Sequence, residues 1–163
     1  MASPAAIGAG ITGGAVAVAG TSYAAYTQLR PYDDFLDYAN RNWYEYIGGD
    51  TEKISSKIVG TAGQASNPYK DALKRIRGSW KVGTGGTAIQ DTDIDVAGKD
   101  GDSTSPKKID LIKEAVKGWC EETKKNTPTK KDEKIDWSDE SMKKDENWKN
   151  FADVCLEPPK KVS

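Results

Sequence analysis

Gly8-Ala9-Gly10-Ile11-Thr12-Gly13 spells G-x-G-x-x-G, and Asp33 and Asp34 come about twenty residues later, where a dinucleotide-binding unit keeps its ribose-holding acid. That chemistry requires a β-strand feeding the glycine turn and a helix N-terminus facing the pyrophosphate. Only Met1 to Ile7 precede the glycines, with Pro4 among them, and no later Val/Ile run suits a buried parallel strand. A small dinucleotide-binding enzyme working through residues 8–13 is therefore the last-ranked reading. Asp91, Asp93 and Asp95 carry the alternation of a calcium loop, but Val96 stands where the loop needs glycine and Asp102 where it needs glutamate. The expectation is an exposed acidic loop.

The chain has no histidine, which removes the commonest general base and the commonest zinc ligand and with them Ser/His/Asp and Cys/His nucleophile systems. Two cysteines, Cys120 and Cys155, are too few for a four-cysteine metal site. Acid–base chemistry would need two carboxylates brought together by the fold, such as Asp33 or Asp34 with Glu45, and spacing does not single out a pair. The reading is of a protein without catalytic activity and without a cofactor.

Concentrated positive charge occurs once. "YKDALKRIRGSW" sets Tyr69, Leu73, Ile76 and Trp80 on one side of a helix and Lys70, Lys74, Arg75, Arg77 and Lys81 around the other. Those five side chains are the candidate phosphate contacts, and a peripheral phosphate- or nucleic-acid-binding protein acting through residues 70–81 is the alternative function. A lone basic helix without stacking partners is more often a solvated face. The 24 Lys and Arg against 25 Asp and Glu leave a net charge of −1, so nucleic acid is not a favoured partner.

All of those charges begin at Arg30. Residues 1–29 carry none, and at 1.5 Å rise per residue a helix of about 25 of them exceeds the hydrocarbon thickness of a bilayer. The stretch reads as an N-terminal transmembrane anchor; Ala17-Val18-Ala19 also offers a signal-peptide cleavage site. Gly10 and Gly14 form a small-residue pair that would let two such helices approach closely. Orientation has only Arg30 and Arg41 to argue from, which taken literally keep the domain inside.

Residues 30–163 are expected to form a small, mainly α-helical domain. Helices are predicted over 31–47, over Thr51 to Val59, over Tyr69 to Trp80, after Pro106, and over Trp137 to Leu156 with Ser138 as N-cap. The two short alternations in residues 82–97 predict a β-hairpin, and 98–106 and 124–134 predict loops. The core is assigned to Trp43, Trp80, Trp119, Trp137, Trp148 and scattered aliphatics. Cys120 and Cys155 both fall near C-terminal ends of predicted helices. Outside a cell a bond between them would stabilise by roughly 3 to 4 kcal/mol on the chain-entropy relation; inside, they would be two small buried apolar residues.

This layout resembles that of the uncharacterised paralogous proteins of hemotropic mycoplasmas. The resemblance rests on the small-residue N-terminal apolar segment, the Lys/Glu-rich domain, the pair Trp119-Cys120, and a final aromatic helix ending in Cys155, with Val154 rather than tryptophan before it. It implies an exported, single-pass membrane protein with its C-terminal domain extracellular, an interaction or antigenic-variation protein whose partner is a host or surface protein.

Overall fold

A computed structural model of the chain describes residues 30–61, 66–80, 88–100, 102–103, 105–130 and 133–159. The chain divides into two units, Met1–Pro31 and Tyr32–Ser163. The anchor or signal segment over 1–29, the glycine motif at 8–13 and the Gly10/Gly14 pair lie outside the described residues, as does Lys81. Among the described residues no helix is long and apolar enough to cross a membrane.

The second unit is mainly helical, and each helix starts where a polar side chain can take its first free N–H groups. Helix α1 (Phe35–Arg41) is capped by Asp34, whose carboxylate accepts from Asp37 N at 2.8 Å. It stops well short of the Ile47 expected from sequence. Asn42 turns its side chain back to donate to Tyr38 O at 2.8 Å, and Trp43 takes a left-handed φ of 65°, which reverses the chain. Glu45–Tyr46 then form strand β1 instead of helix. Trp43, assigned to the core by its type, is 83% exposed for the same reason.

Helix α2 (Thr51–Val59) matches its predicted span, opened by Asp50 and closed by Gly60 at φ 71°, with Ile54 and Ile58 fully buried. Helix α3 (Pro68–Ile76) is capped by Asn67 and passes into a 3-10 turn over Arg77–Ser79. Helix α4 (Asp91–Val96) stands where a hairpin was expected, so the hairpin over 82–97 is corrected over its second half; residues 81–87 are not described. Its "DTDIDV" alternates like a strand, but Asp93 takes the Gln90 N–H at 2.8 Å as a helix cap does, and Ile94 alone is buried. Ser105-Pro106 is a cis peptide bond just before α5.

Helix α5 (Lys108–Thr123) buries Ile112, Val116 and Cys120 as its periodicity predicts. The single helix expected over Trp137 to Leu156 is two, α6 (Asp139–Lys144) and α7 (Glu146–Cys155). Asp145 lies between them in an extended conformation, accepting from Trp148 N at 2.8 Å and from Thr129 N at 2.8 Å. Ser138 caps α6, as expected, at 3.4 Å from Ser141 N. Strand β2 (Leu156–Glu157) pairs antiparallel with β1, Tyr46 opposite Leu156.

Helix α2 packs on α5, α3 on α7, and α4 bridges α3 and α5. The core runs through Phe35, Ile54, Ile58, Leu73, Ile94, Ile112, Val116 and Phe151, all with no exposed surface. Of the other tryptophans, Trp80 and Trp148 are buried, and Trp119 and Trp137 pack against the core while partly exposed. One flank is aromatic: Phe35 lies 5.4 Å from Trp148 and 5.7 Å from Phe151, and Tyr38 meets Trp148 edge-on at 4.8 Å between ring centroids. Such pairs add about 0.5–1.5 kcal/mol each beyond their burial.

Candidate functional site

Helix α3 carries the only concentrated basic stretch, and its position decides what those cations can do. Asn67 fixes its N-terminus: the side-chain oxygen accepts from Tyr69 N and Lys70 N, while Nδ2 donates to Lys57 O and Ile58 O at 2.9 Å, tying α3 to the end of α2. Tyr69 donates its hydroxyl to Val154 O at 3.0 Å, which locks α3 on α7, and burial holds its pKa above the ordinary tyrosine range.

Lys70, assigned by sequence to the basic face, is buried. Its ammonium donates to Asp95 O at 3.1 Å and Ala97 O at 2.7 Å, the carbonyls left open at the end of α4. Desolvation, with Lys99 nearby, pulls its pKa below the usual lysine range. The remaining cations diverge. Lys74 pairs with Asp95 at 2.6 Å and Arg77 with Asp91, both toward α4, while Arg75 reaches Asp153 on α7 at 2.5 Å. Lys70, Lys74 and Arg77 thus face α4 and Arg75 faces α7, each against oxygen acceptors of the same chain.

A cleft of about 240 Å³ adjoins this helix, lined among others by Gly60, Asn67, Lys70, Asp71, Asp95 and Lys99. Two ammonium groups and two carboxylates meet there, so the lining is close to neutral. A wider, shallower cleft of about 640 Å³ lies between α2, α3 and the end of α7, with Tyr44, Pro68, Tyr69 and Leu156 on its walls. Its surface is mixed, with the carboxylate of Asp153 and the ammonium of Lys57 at its rim.

The carboxylates singled out from sequence have structural partners. Asp34 caps α1, and Glu45 pairs with Lys53. Of the calcium-like series, Asp91 holds Arg77, Asp93 lies 3.1 Å from Lys108 and caps α4, and Asp95 holds Lys74. They sit on a helix and not in a loop. Among the described residues no group of three histidine, cysteine or acidic side chains is disposed to hold a metal ion.

Asp102 was legible only as the end of a failed calcium loop, and it proves to be a structural centre. The carboxylate, 7% exposed, accepts from Lys108 N at 2.6 Å, Ile109 N at 3.0 Å and Gly98 N at 3.1 Å. Burial alone would raise its pKa, but the three backbone donors together outweigh that and hold it below the carboxylate range. The missed signal is an acid six residues before a helix that lacks a capping side chain of its own.

Cys120 ends the apolar stripe of α5 and Cys155 closes α7. Their Cα atoms are 5.7 Å apart, the sulfurs are paired, and both residues have no exposed surface. Ile47 N donates to Cys155 O at 2.9 Å, and a Cβ on Gly48 would collide with Cys120 Cβ, so the segment after β1 lies directly on this cross-link. Compared with known proteins, the chain matches no family, no curated sequence and no solved structure.

Proposed function

We propose that the protein is a single-pass membrane-anchored surface protein whose domain from Arg30 onward lies outside the cell and serves interaction or antigenic variation, without catalytic activity. The observation that carries the outward placement is the buried Cys120–Cys155 pair, since disulfides form and persist in oxidising surroundings and are rare in reducing ones. The anchor rests on residues 1–29, which carry no charge, ahead of a domain that holds every Lys, Arg, Asp and Glu of the chain. The likeness in layout to the paralogous surface proteins of hemotropic mycoplasmas supplies the antigenic part of the reading and its partner class, a host or surface protein.

Carbonate-washed membrane fractionation of the native cells, with the intact mass read in each fraction, tests it. Full-length protein is expected in the membrane pellet, and protease added to unbroken cells is expected to remove the domain. Full-length protein in the cytosolic supernatant refutes the anchor; protein in the pellet but protected from external protease refutes the outward placement.

A further inference from the structure

Where the turn after α1 meets α6 and α7, three aromatic rings and a carboxylate close on a cavity of about 180 Å³. Tyr38, Tyr44, Trp148 and Asp139 line it, with Asn42 and Lys143 among its other walls. Sites that hold a whole small molecule run to roughly 300–1,000 Å³, so this one suits the end group of a ligand. Its rings stand at right angles to one another rather than in a flat stack. Trp148 meets Tyr38 at 4.8 Å and 81°, and Tyr44 at 5.8 Å and 89°, between ring centroids and planes. They are also fixed from behind: Trp137 stacks on Tyr38 at 5.8 Å, and Phe35 and Phe151 back Trp148 at 5.4 and 5.9 Å.

The charge of the lining selects what enters. Tyr38 donates its hydroxyl to Asp139 Oδ1 at 2.9 Å, which holds the carboxylate against the aromatic walls. Burial first, and then that hydrogen bond, raise the Tyr38 pKa above the ordinary tyrosine range, so the hydroxyl stays a donor. Aromatic faces are negative and Asp139 adds a full negative charge, so the walls favour a cation. An ammonium with N–H groups would give up hydrogen bonds to water that rings cannot replace. A trimethylammonium group has none to lose and meets the rings methyl to face. Lys143, on the same helix as Asp139, is the one cation among the described lining residues, and it suits an anion joined to that group.

We propose that this cavity binds the trimethylammonium end of a phosphocholine group, with Lys143 meeting its phosphate. The site lies wholly within Tyr32–Ser163 and does not depend on what residues 1–29 do.

The test titrates choline and phosphocholine into the full, disulfide-bonded chain and follows the ligand's N-methyl proton resonance, which ring currents move upfield over aromatic faces. Saturable upfield shifts are expected for both ligands, at lower concentration for phosphocholine, and an equal concentration of ammonium chloride should displace neither. Tyr44→Ala, at a half-buried position, should weaken both by about 3- to 30-fold through loss of one ring. Asp139→Asn, which keeps an oxygen for the Tyr38 hydroxyl, should also weaken both, and Lys143→Met should abolish the preference for phosphocholine; unchanged circular dichroism establishes that each variant is folded. Competition by monomeric short-chain phosphatidylcholine identifies a lipid headgroup as the source, and lack of it a soluble phosphocholine compound; both support the site. No saturable shift with either ligand, or shifts that Tyr44→Ala and Asp139→Asn leave unaltered, overturn the proposal, and equal binding of choline and phosphocholine by the wild type overturns the part given to Lys143.

Discussion

Removing the Cys120–Cys155 cross-link is expected to destabilise the domain strongly. For a sequence separation of 35 the chain-entropy relation gives about 4 kcal/mol. For a domain of this size each kcal/mol moves the melting temperature by about 3–5 °C, so a fall of about 12–20 °C is expected. The assay is thermal unfolding followed by far-ultraviolet circular dichroism, with and without a reductant strong enough to reach a buried bond, and thiol counting to establish the redox state of each sample. Reduced wild type isolates the cross-link, because both sulfurs remain in place. The double variant Cys120→Ala/Cys155→Ala adds the lost packing of two fully buried sulfurs and should melt lower still. A melting temperature unchanged within a degree or two after complete, verified reduction would refute the reasoning, since it would mean that the unfolded chain is no freer without the bond.

Lys70→Met keeps the side chain's length but leaves Asp95 O and Ala97 O without their donor, so the urea midpoint should fall by the equivalent of about 1–3 kcal/mol; Lys74→Met, which removes a partly exposed ion pair, should move the midpoint much less. Asp102→Asn should cost about 1–2 kcal/mol at neutral pH by spoiling the cap of α5. Because the folded-state pKa of Asp102 lies below its unfolded value, its stabilisation is complete above the ordinary carboxylate range and is lost as pH falls through the lowered value. Denaturation of wild type and variant should therefore converge in acid, and a constant gap down to the lowest pH would contradict the carboxylate's role. Gly48→Ala should cost about 1–3 kcal/mol, since the new methyl meets Cys120 Cβ and the Tyr46 ring; a neutral result in a melting experiment would show that the segment after β1 can move off the cross-link.

Where a segment buries one face at the helical period, sequence and structure agree. Ile54 and Ile58 behind Asp50, and Ile112, Val116 and Cys120 in α5, keep to the helical period. The tertiary surroundings decided the rest. Lys70 looked exposed because a helical wheel assumes one buried side, whereas α3 is covered by α7 on one side and α4 on another. The alternation in 91–96 read as a strand, yet a hairpin would have had little to bury, and Asp93 offers a helix start. Asp145 was invisible as a break in a run of good helix formers, since its carboxylate is claimed partly by Thr129, sixteen residues away. Trp43 misled by type: tryptophan usually packs inside, and nothing local announces a left-handed turn at a residue other than glycine or asparagine. The helix that carries the basic residues and the pairing of the two cysteines were legible in the sequence, but the oxygen acceptors opposite the cations, which come from α4 and α7, were not.

The cross-link also sets how the domain answers to pulling. A protein drawn apart by its two ends normally surrenders its whole contour, but the Cys120–Cys155 bond short-circuits the stretch between them. About 120 Å of chain, from the exit of α5 through α6 and α7, stays out of the load path however far the rest extends. The load runs through the segments before Cys120 and the short stretch after Cys155, which can extend while the closed loop keeps its length.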